Sequence, residues 1–453
     1  MTVKKVAFFT LGCKVNQYDT AAMAELFRAA SWQVVDFSAP AHVYVVNTCA
    51  VTARSEAKSR QTVRQARRRS PEAVVVVAGC YPQVRGEEAL RATGADVILG
   101  TADRKDIVSL AERALKGERP LRAVVEYARS ARACYEEIPV SGWERTRATL
   151  KVQEGCDYRC AYCTVPLARG PSRSRKLEAA VAEGERRVRA GYREIVLTGI
   201  QLGAYGRDLG YREGLAGLVD RVGRIPGLWR LRLSSLEVID LSSSLLSTLA
   251  SVPTACPHLH LPLQSGSDRV LRAMGRPYTA GDYLQVVERA RAMIPGLALS
   301  SDILVGFPGE QEDDFLRTLD VVAEAGFMRL HVFPFSPRPG TRAAAMSEQV
   351  PEEVRKERAQ RVREAGAQLA RRFARGLVGS RTEVLVEEEK EGVVSGFTPQ
   401  YVRVSFPGHA HLRGSLVEVQ IEGFREQEEE DEAGSCPLWG REVRVLRRWA
   451  GVG

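Results

Sequence analysis

The sequence predicts an α/β chain of three parts: an open parallel α/β domain, a partial barrel of six β/α units, and a small antiparallel β-barrel. Three observations carry this expectation. Short apolar runs alternate with helix-like stretches over residues 1–120 and again over 149–345, and from 381 to 446 the pattern becomes five short β-branched segments. At 453 residues the chain is also too long for a single compact core.

In the first part the expected strands are Val6–Leu11, Val43–Val46, Ala73–Ala78 and Val97–Leu99, the third holding a pure VVVV run. Unbroken apolar runs belong in a parallel sheet covered on both faces. Helices are expected over Asp19–Ala30, starting on an Asp19 or Thr20 cap, and over Ala53–Arg69. Residues 117–147 read as an irregular, charge-rich connector. The second part offers strands at Thr149–Gln153, Glu194–Leu197, Trp229–Leu233, His258–Pro262, Ala298–Ile303 and Arg329–Val332. Helical patterns fall at 176–190, 208–224, 243–250, 268–274, 280–293 and 311–325, giving six successive βα units. A charged helix over 351–376 has Pro351 in its first turn. The segments TEVLVE, GVVSGF, YVRVSF, SLVEVQIEGF and REVRVL then suggest a small closed barrel. The domain bounds are therefore 1–120, a linker over 121–147, 148–376 with its helix, and 377–453.

Composition excludes several classes. Apolar residues make up 44% and charged residues 27%, as in ordinary globular chains rather than disordered or fibrous ones. No apolar run approaches the 18 or so residues that span a bilayer, and the start, MTVKKVAFFTLGC, has too short an apolar stretch for a signal peptide. A cytoplasmic chain with reduced thiols and no membrane partner is expected. Nine cysteines, an odd number, make no disulfide scaffold.

Cys156, Cys160 and Cys163 stand in EGCDYRCAYC, directly after the first strand of the expected partial barrel. Three thiolates so close can hold three irons of a [4Fe–4S] cubane, leaving the fourth iron open to an exogenous ligand. Zinc needs a fourth donor, and no His lies within fifty residues of this loop. Cys13, Cys49 and Cys80 each follow the carboxyl end of an expected parallel strand, the edge where open α/β sheets bind ligands. Neighbouring strands lie about 4.8 Å apart, so these three can converge on a second cluster. One such Cys would read as a small buried hydrophobe, but three at equivalent positions do not. Cys134, Cys256 and Cys436 have no spacing partners and read as structural or incidental.

These motifs, with GCKVNQYD, NTCAVT, AGCYPQ, LTGIQLGAYG, LSSLE, HLHLPLQSGSD, DILVGFPGE and FSPRPGT, resemble the radical S-adenosylmethionine methylthiotransferases over essentially the whole chain. The resemblance implies a flavodoxin-like first domain, a radical-SAM barrel and a C-terminal TRAM-like module. GCKVNQ, KSRQ and GIQLGAYG look most like the branch acting on threonylcarbamoyladenosine in tRNA. The branches acting on isopentenyladenosine and on an Asp of a ribosomal protein match less well, and a non-enzymatic iron–sulfur RNA-binding protein is the reading outside enzymology.

The resemblance further implies two [4Fe–4S] clusters and S-adenosylmethionine as cofactors. One cluster, on Cys156, Cys160 and Cys163, would generate a 5′-deoxyadenosyl radical that removes hydrogen from C2 of the adenine. The other, on Cys13, Cys49 and Cys80, would carry the sulfur that a second S-adenosylmethionine methylates. Tyr162 would flank the adenine of the cofactor and Gly199 its methionyl backbone. Ser235 and Glu237 would serve its ribose or ammonium, and Gln264 and Asp302 would line later strands. An acid beside a barrel strand end is seldom there for packing, so Glu237 and Asp302 stand out. The implied partners are the anticodon stem-loop of tRNA, an electron donor such as flavodoxin or ferredoxin, and a sulfur source.

RNA binding should use the basic surface. Residues 54–69 hold seven Arg or Lys and one acid, so Lys58, Arg60, Arg64, Arg67 and Arg68 are candidate phosphate contacts, with Arg207 and Arg338 near the same rim. The net charge of +9 is uneven: residues 379–453 hold nine basic residues against fourteen acids, a net of −5. Acidic tracts at 387–391 and 425–432 leave Arg403, Arg444, Arg447 and Arg448 as the tail's candidates for RNA.

Overall fold

The computed structural model describes residues 3–124, 134–140, 146–424 and 437–448. Strands β1 (Lys5–Thr10), β2 (Gln33–Val35), β3 (Val43–Thr48), β4 (Val74–Gly79), β5 (Val97–Leu99) and β6 (Leu121–Ala123) form one sheet in the order β2-β1-β3-β4-β5-β6. All five pairings are parallel. Helices α1 (Lys14–Ala29), α2 (Ala53–Arg69), α3 (Cys80–Arg85), α4 (Glu87–Thr93) and α5 (Ile107–Leu115) accompany it. Alternate valines explain the two-sided burial. Val43, Val45, Val74 and Val76 pack with Phe27 of α1 and Ile107 of α5. Val46, Val75 and Val77 pack on the other face with Val63 and Ala66 of α2 and Ala89 of α4.

Two expectations are corrected here. The first helix begins at Lys14, not at Asp19 or Thr20, and Cys13 occupies its cap position. Asp19 is instead buried within α1, where cations from elsewhere in the chain surround it. The connector is also less irregular than expected, because Leu121–Ala123 adds a sixth strand to β5. Ile138 and Val140 then pack against Tyr18 and Ala22.

The central part runs through β7 (Arg147–Lys151), β8 (Gln153–Glu154), β9 (Arg173–Ser174), β10 (Glu194–Thr198), β11 (Arg230–Leu233), β12 (His258–His260), β13 (Ala298–Val305) and β14 (Arg329–Pro334). Its helices are α6 (Val165–Arg169), α7 (Leu177–Arg189), α8 (Gly214–Gly223), α9 (Ser243–Ser251), α10 (Asp268–Met274), α11 (Ala280–Met293), α12 (Glu312–Ala325) and α13 (Glu352–Arg375). Two parallel sheets, β11-β10-β7 and β12-β13-β14, are joined by the bridges Leu231↔Ala255 and Ser235↔His260. Six strands thus curve into a partial barrel.

Strands β15 (Arg381–Lys390), β16 (Val393–Phe397), β17 (Arg403–Pro407), β18 (Leu416–Phe424) and β19 (Leu438–Arg447) close in the order β15-β16-β17-β19-β18. Four contacts are antiparallel and one, β17 with β19, is parallel. An odd number of strands cannot alternate direction around a closed ring, so one parallel contact is required. The five-stranded closure corrects the expectation of a wholly antiparallel barrel in that respect.

Guanidinium groups fasten this small barrel to the base of the large one. Arg230 donates to the carbonyls of Phe397 (2.7 Å) and Glu383 (2.9 Å). Arg232 donates to those of Pro399 (3.0 Å) and Thr398 (3.3 Å), and to Glu194 (3.0 Å).

Candidate metal centres

Cys13 ends the turn after β1, Cys49 follows β3, and Cys80 opens α3 after β4. These are three adjacent strands, on the carboxyl edge and beside the β2-β1-β3 order reversal where doubly wound sheets bind ligands. The backbone brings them close. Gly12 has φ +102°, and a Cβ there would lie 2.9 Å from the Cys49 Cβ and 3.3 Å from its Sγ. Gly79, at φ +95°, could carry no side chain without overlapping Asn47 and the Thr48 carbonyl. Burial pushes the Cys49 thiol up to about 11, helped by the neighbouring Cys80 and Cys13, and it raises Cys80 as well.

Cys156, Cys160 and Cys163 lie on the loop between β8 and α6. Gly155, at φ +76°, packs directly on the Pro171 carbonyl and leaves no room for a Cβ. The loop is pinned by Ala161 N–H to the Met274 carbonyl (2.8 Å) and Cys156 N–H to the Gly170 carbonyl (3.0 Å). Arg276 donates to the Cys160 sulfur at 3.3 Å and also pairs with Glu237, while Val165 N–H donates to the Cys163 sulfur at 3.4 Å. Burial pushes Cys156 and Cys163 up to about 12.

The first triad abuts the helix that follows the second. Cys80 and Ala50 pack against Ala168 of α6, the helix that follows Cys163. Arg169, next along, is fully buried and reaches Glu154 (2.5 Å), Asp19 (2.8 Å) and Asn16. Arg104 adds contacts to Glu154 (3.0 Å) and Asp19 (3.3 Å), and Lys151 to Asp19 (2.6 Å) and Glu154 (2.9 Å).

The donor sets suit iron–sulfur groups. Each site offers three thiols, the soft ligands that such clusters take. Among the described residues, the only group whose metal-binding atoms all lie within 4.8 Å of one another is His260, Asp302 and His331, so neither Cys triad is drawn around one ion. A tetrahedral zinc would hold its sulfurs about 3.8 Å apart. Raised thiols are protonated near neutral pH, so a group bound there displaces protons.

The remaining sequence-predicted residues gather at the strand ends of the barrel or scatter. Tyr162 packs with Ala161, Met274 and Phe307 beside the second triad. Gly199 faces the Gln153 side chain, and Ser235 bridges to His260. Gln264, at φ +67°, bridges to Ile303. Burial raises Glu237 even though Arg276 opposes it. Burial also works against ionised Asp302, yet His260, at 3.2 Å, and His331 hold its carboxyl below the usual range. Arg276, His260 and His331 were not singled out from the sequence; the GRPYT, HLH and RLHVF strings that carry them were the available signal.

The basic candidates divide. Arg67 is engaged by Asp96 (2.8 Å) and the Ala73 and Gly94 carbonyls, so it is less available to a phosphate than its neighbours. Lys58, Arg64 and Arg68 are exposed and Arg60 partly so, and the four make no ion pair among the described residues. Arg338 is buried against Glu56, so it is no rim residue, and Arg207 is exposed but paired with Asp240 at 2.6 Å. In the tail, Glu388 takes Arg403 (3.0 Å), Glu418 takes Arg444 (3.1 Å), and Arg447 lies over Trp229. Cys256 is buried and Cys134 exposed; Cys436 and the tract 425–432 lie outside the described residues.

Comparison with known proteins adds to this geometry. The family described as Uncharacterized protein family UPF0004 matches residues 5–100, and the Radical SAM superfamily matches residues 150–322. The chain is 40% identical, over 92% of its length and 93% of the relative's, to the threonylcarbamoyladenosine tRNA methylthiotransferase MtaB of Bacillus subtilis. The MtaB of Thermotoga maritima is 38% identical over 94% of this chain and 96% of its own. A tRNA-2-methylthio-N(6)-dimethylallyladenosine synthase of Moorella thermoacetica is 36% identical over 92% and 96%. Among solved structures, the radical S-adenosylmethionine methyltransferase TsrM of Kitasatospora setae, with cobalamin and a [4Fe-4S] cluster bound, has a TM-score of 0.56. That match covers 87% of this chain and 81% of TsrM at 14% identity, a likeness of fold. No described helix is long and apolar enough to cross a membrane.

Proposed function

This chain belongs to the radical S-adenosylmethionine methylthiotransferases, and on that premise we propose that it adds a methylthio group to C2 of N6-threonylcarbamoyladenosine beside the anticodon of tRNA. The observation that carries this is a pair of three-thiol sites, one per domain, with Cys80 of the first packed on Ala168 of the helix that follows the second. Their place in a chain 40% identical to MtaB over nearly its full length supports the same substrate.

Cys13, Cys49 and Cys80 would hold one [4Fe–4S] cluster and Cys156, Cys160 and Cys163 the other. Together with S-adenosylmethionine, these groups would supply the radical chemistry at C2 and the methylated sulfur for transfer. The chain contributes placement. Arg276 fixes both the Cys160 sulfur and Glu237, leaving the Glu237 carboxylate at the strand end to receive an ammonium. Gly199 packs against the buried Gln153 side chain, where a Cβ would overlap it, and would lie against the methionyl backbone of S-adenosylmethionine. Tyr162, Ser235, Gln264 and Asp302 would complete the cofactor's surroundings. α6 packs on the first domain through Ala168 against Cys80 and Ala50. Lys58, Arg60, Arg64 and Arg68 offer the phosphate-binding surface. An electron donor such as flavodoxin or ferredoxin, a sulfur source and a cytoplasmic location complete the reading.

Anaerobic reconstitution should give about eight irons per chain, and Cys80→Ala or Cys160→Ala should each give about four. With S-adenosylmethionine, reductant, sulfide and tRNA bearing threonylcarbamoyladenosine, nucleoside mass spectrometry should find the methylthio product. Cofactor cleavage that leaves such tRNA unmodified would overturn the assignment, and product on isopentenyladenosine instead would move it to the other branch.

A further inference from the structure

A cavity of about 540 Å³ lies where the three domains join, lined by Lys14 and Gln17 of α1, Thr149 of β7, and Glu387, Ser395 and Tyr401 of the small barrel, among others. Its charges are unevenly matched. Glu387 is taken by Arg147, which also donates to the Tyr401 hydroxyl at 2.8 Å, and Glu388 is taken by Arg403 at 3.0 Å. Tyr401 is covered by the guanidinium groups of Arg147 (5.1 Å) and Arg232 (4.5 Å), so its ring is not free to stack on a ligand. Two lining cations, Lys14 and Arg413, make no ion pair among the described residues; Arg413 is exposed to solvent, whereas Lys14 is partly buried. It directly follows Cys13, one of the three thiols of the first triad.

We propose that Lys14 is a specificity residue that receives the carboxylate of the substrate's threonylcarbamoyl group within this cavity. The inference rests on the proposed function and deepens it. A partly desolvated cation without a close counter-ion gains when an anion arrives. Gln17, Thr149 and Ser395 supply the uncharged hydrogen-bonding groups that a carbamoyl and a threonyl hydroxyl require. The same lining penalises an apolar N6 substituent, which would leave the Lys14 ammonium unpaired and desolvated. The cavity's volume is that of an ordinary small-molecule site. A backbone phosphate is the other anion an RNA could offer, and the experiment separates the two.

Binding of the reconstituted enzyme would be followed by fluorescence anisotropy with three anticodon stem-loops, carrying threonylcarbamoyladenosine, its methyl ester or plain adenosine. Wild type should prefer the free acid over both others by about tenfold, the worth of one charge-assisted hydrogen bond. Lys14→Met should abolish that preference while binding the adenosine RNA within twofold of wild type, and Lys14→Arg should retain most of it. Iron content and circular dichroism equal to wild type establish that each variant is folded and loaded. Retained preference in Lys14→Met, or equal weakening toward all three RNAs as a phosphate contact would give, overturns the inference. If wild type makes the methylthio product yet shows no preference, only this inference falls. If it leaves threonylcarbamoyladenosine unmodified, the functional assignment falls first.

Discussion

A buried carboxylate is tolerable only while cations surround it, and Asp19 shows how far apart in sequence those cations can be. Its partners Arg104, Lys151 and Arg169 lie 85, 132 and 150 residues away. Local rules made Asp19 a plausible helix cap; nothing within a few residues of it betrays an interdomain knot. The same holds for Arg276, whose contacts to Cys160 and Glu237 are visible only once the barrel closes. The cysteines were legible because strand ends and short spacings are local signals. Removing Asp19 strands three cations with Glu154 as their nearest remaining acid, so Asp19→Ala should destabilise the chain by about 3–5 kcal/mol. Urea unfolding measures this, and a loss under about 1 kcal/mol, typical of a surface pair, would contradict the network's role.

At the scale of elements, the valine runs announced the parallel sheet because both faces of β3 and β4 are covered. β2 and β6 escaped notice: each is three residues long at a sheet edge, too short to show a period. The parallel β17–β19 contact was invisible for another reason, since closure is a property of all five strands together. Two predictions belong here. Gly155 ends the β8 segment with no room for a Cβ against the Pro171 carbonyl, so Gly155→Ala must displace the loop that carries Cys156. Iron should fall to about half per chain, with the Cys13 site still loaded; full iron by spectroscopic assay would refute it.

The second concerns the imidazoles on β12 and β14. Burial lowers His331 to about 4, and it holds His258 well below its usual value too. Both are neutral when folded near pH 7, whereas unfolded imidazoles take up protons below about 6.5. Stability is therefore unaffected above that pH and falls as the pH drops from about 6.5 towards 4, with His331 contributing on the order of 3 kcal/mol over that span. His331→Gln should flatten the decline in thermal midpoint between pH 7 and 5. An unchanged decline would remove His331 from the account.

For the whole molecule, what decides where RNA binds is charge left unpaired, and it is distributed unlike total charge. The first 378 residues carry a net +14 and the tail −5. Within the tail, Arg403, Arg441 and Arg444 are each paired with a glutamate, so their positive charge is locally cancelled. On α2, Lys58, Arg60, Arg64 and Arg68 have no such partner among the described residues, while Arg67 and Glu56 are drawn into the protein's own contacts. Each cation that neutralises a phosphate releases condensed counterions, giving roughly 0.7–0.9 in the slope of log K against log salt. Replacing all four by Gln should therefore flatten that slope by about three for an anticodon stem-loop, with folding unchanged because the side chains are largely exposed. Replacing Arg441 and Arg444 by Gln should change it by less than about one, since each leaves behind the glutamate it had neutralised. Equal slopes for the α2 variant and wild type would place the RNA on another face, and a larger effect from the tail pair would return that face to the small barrel.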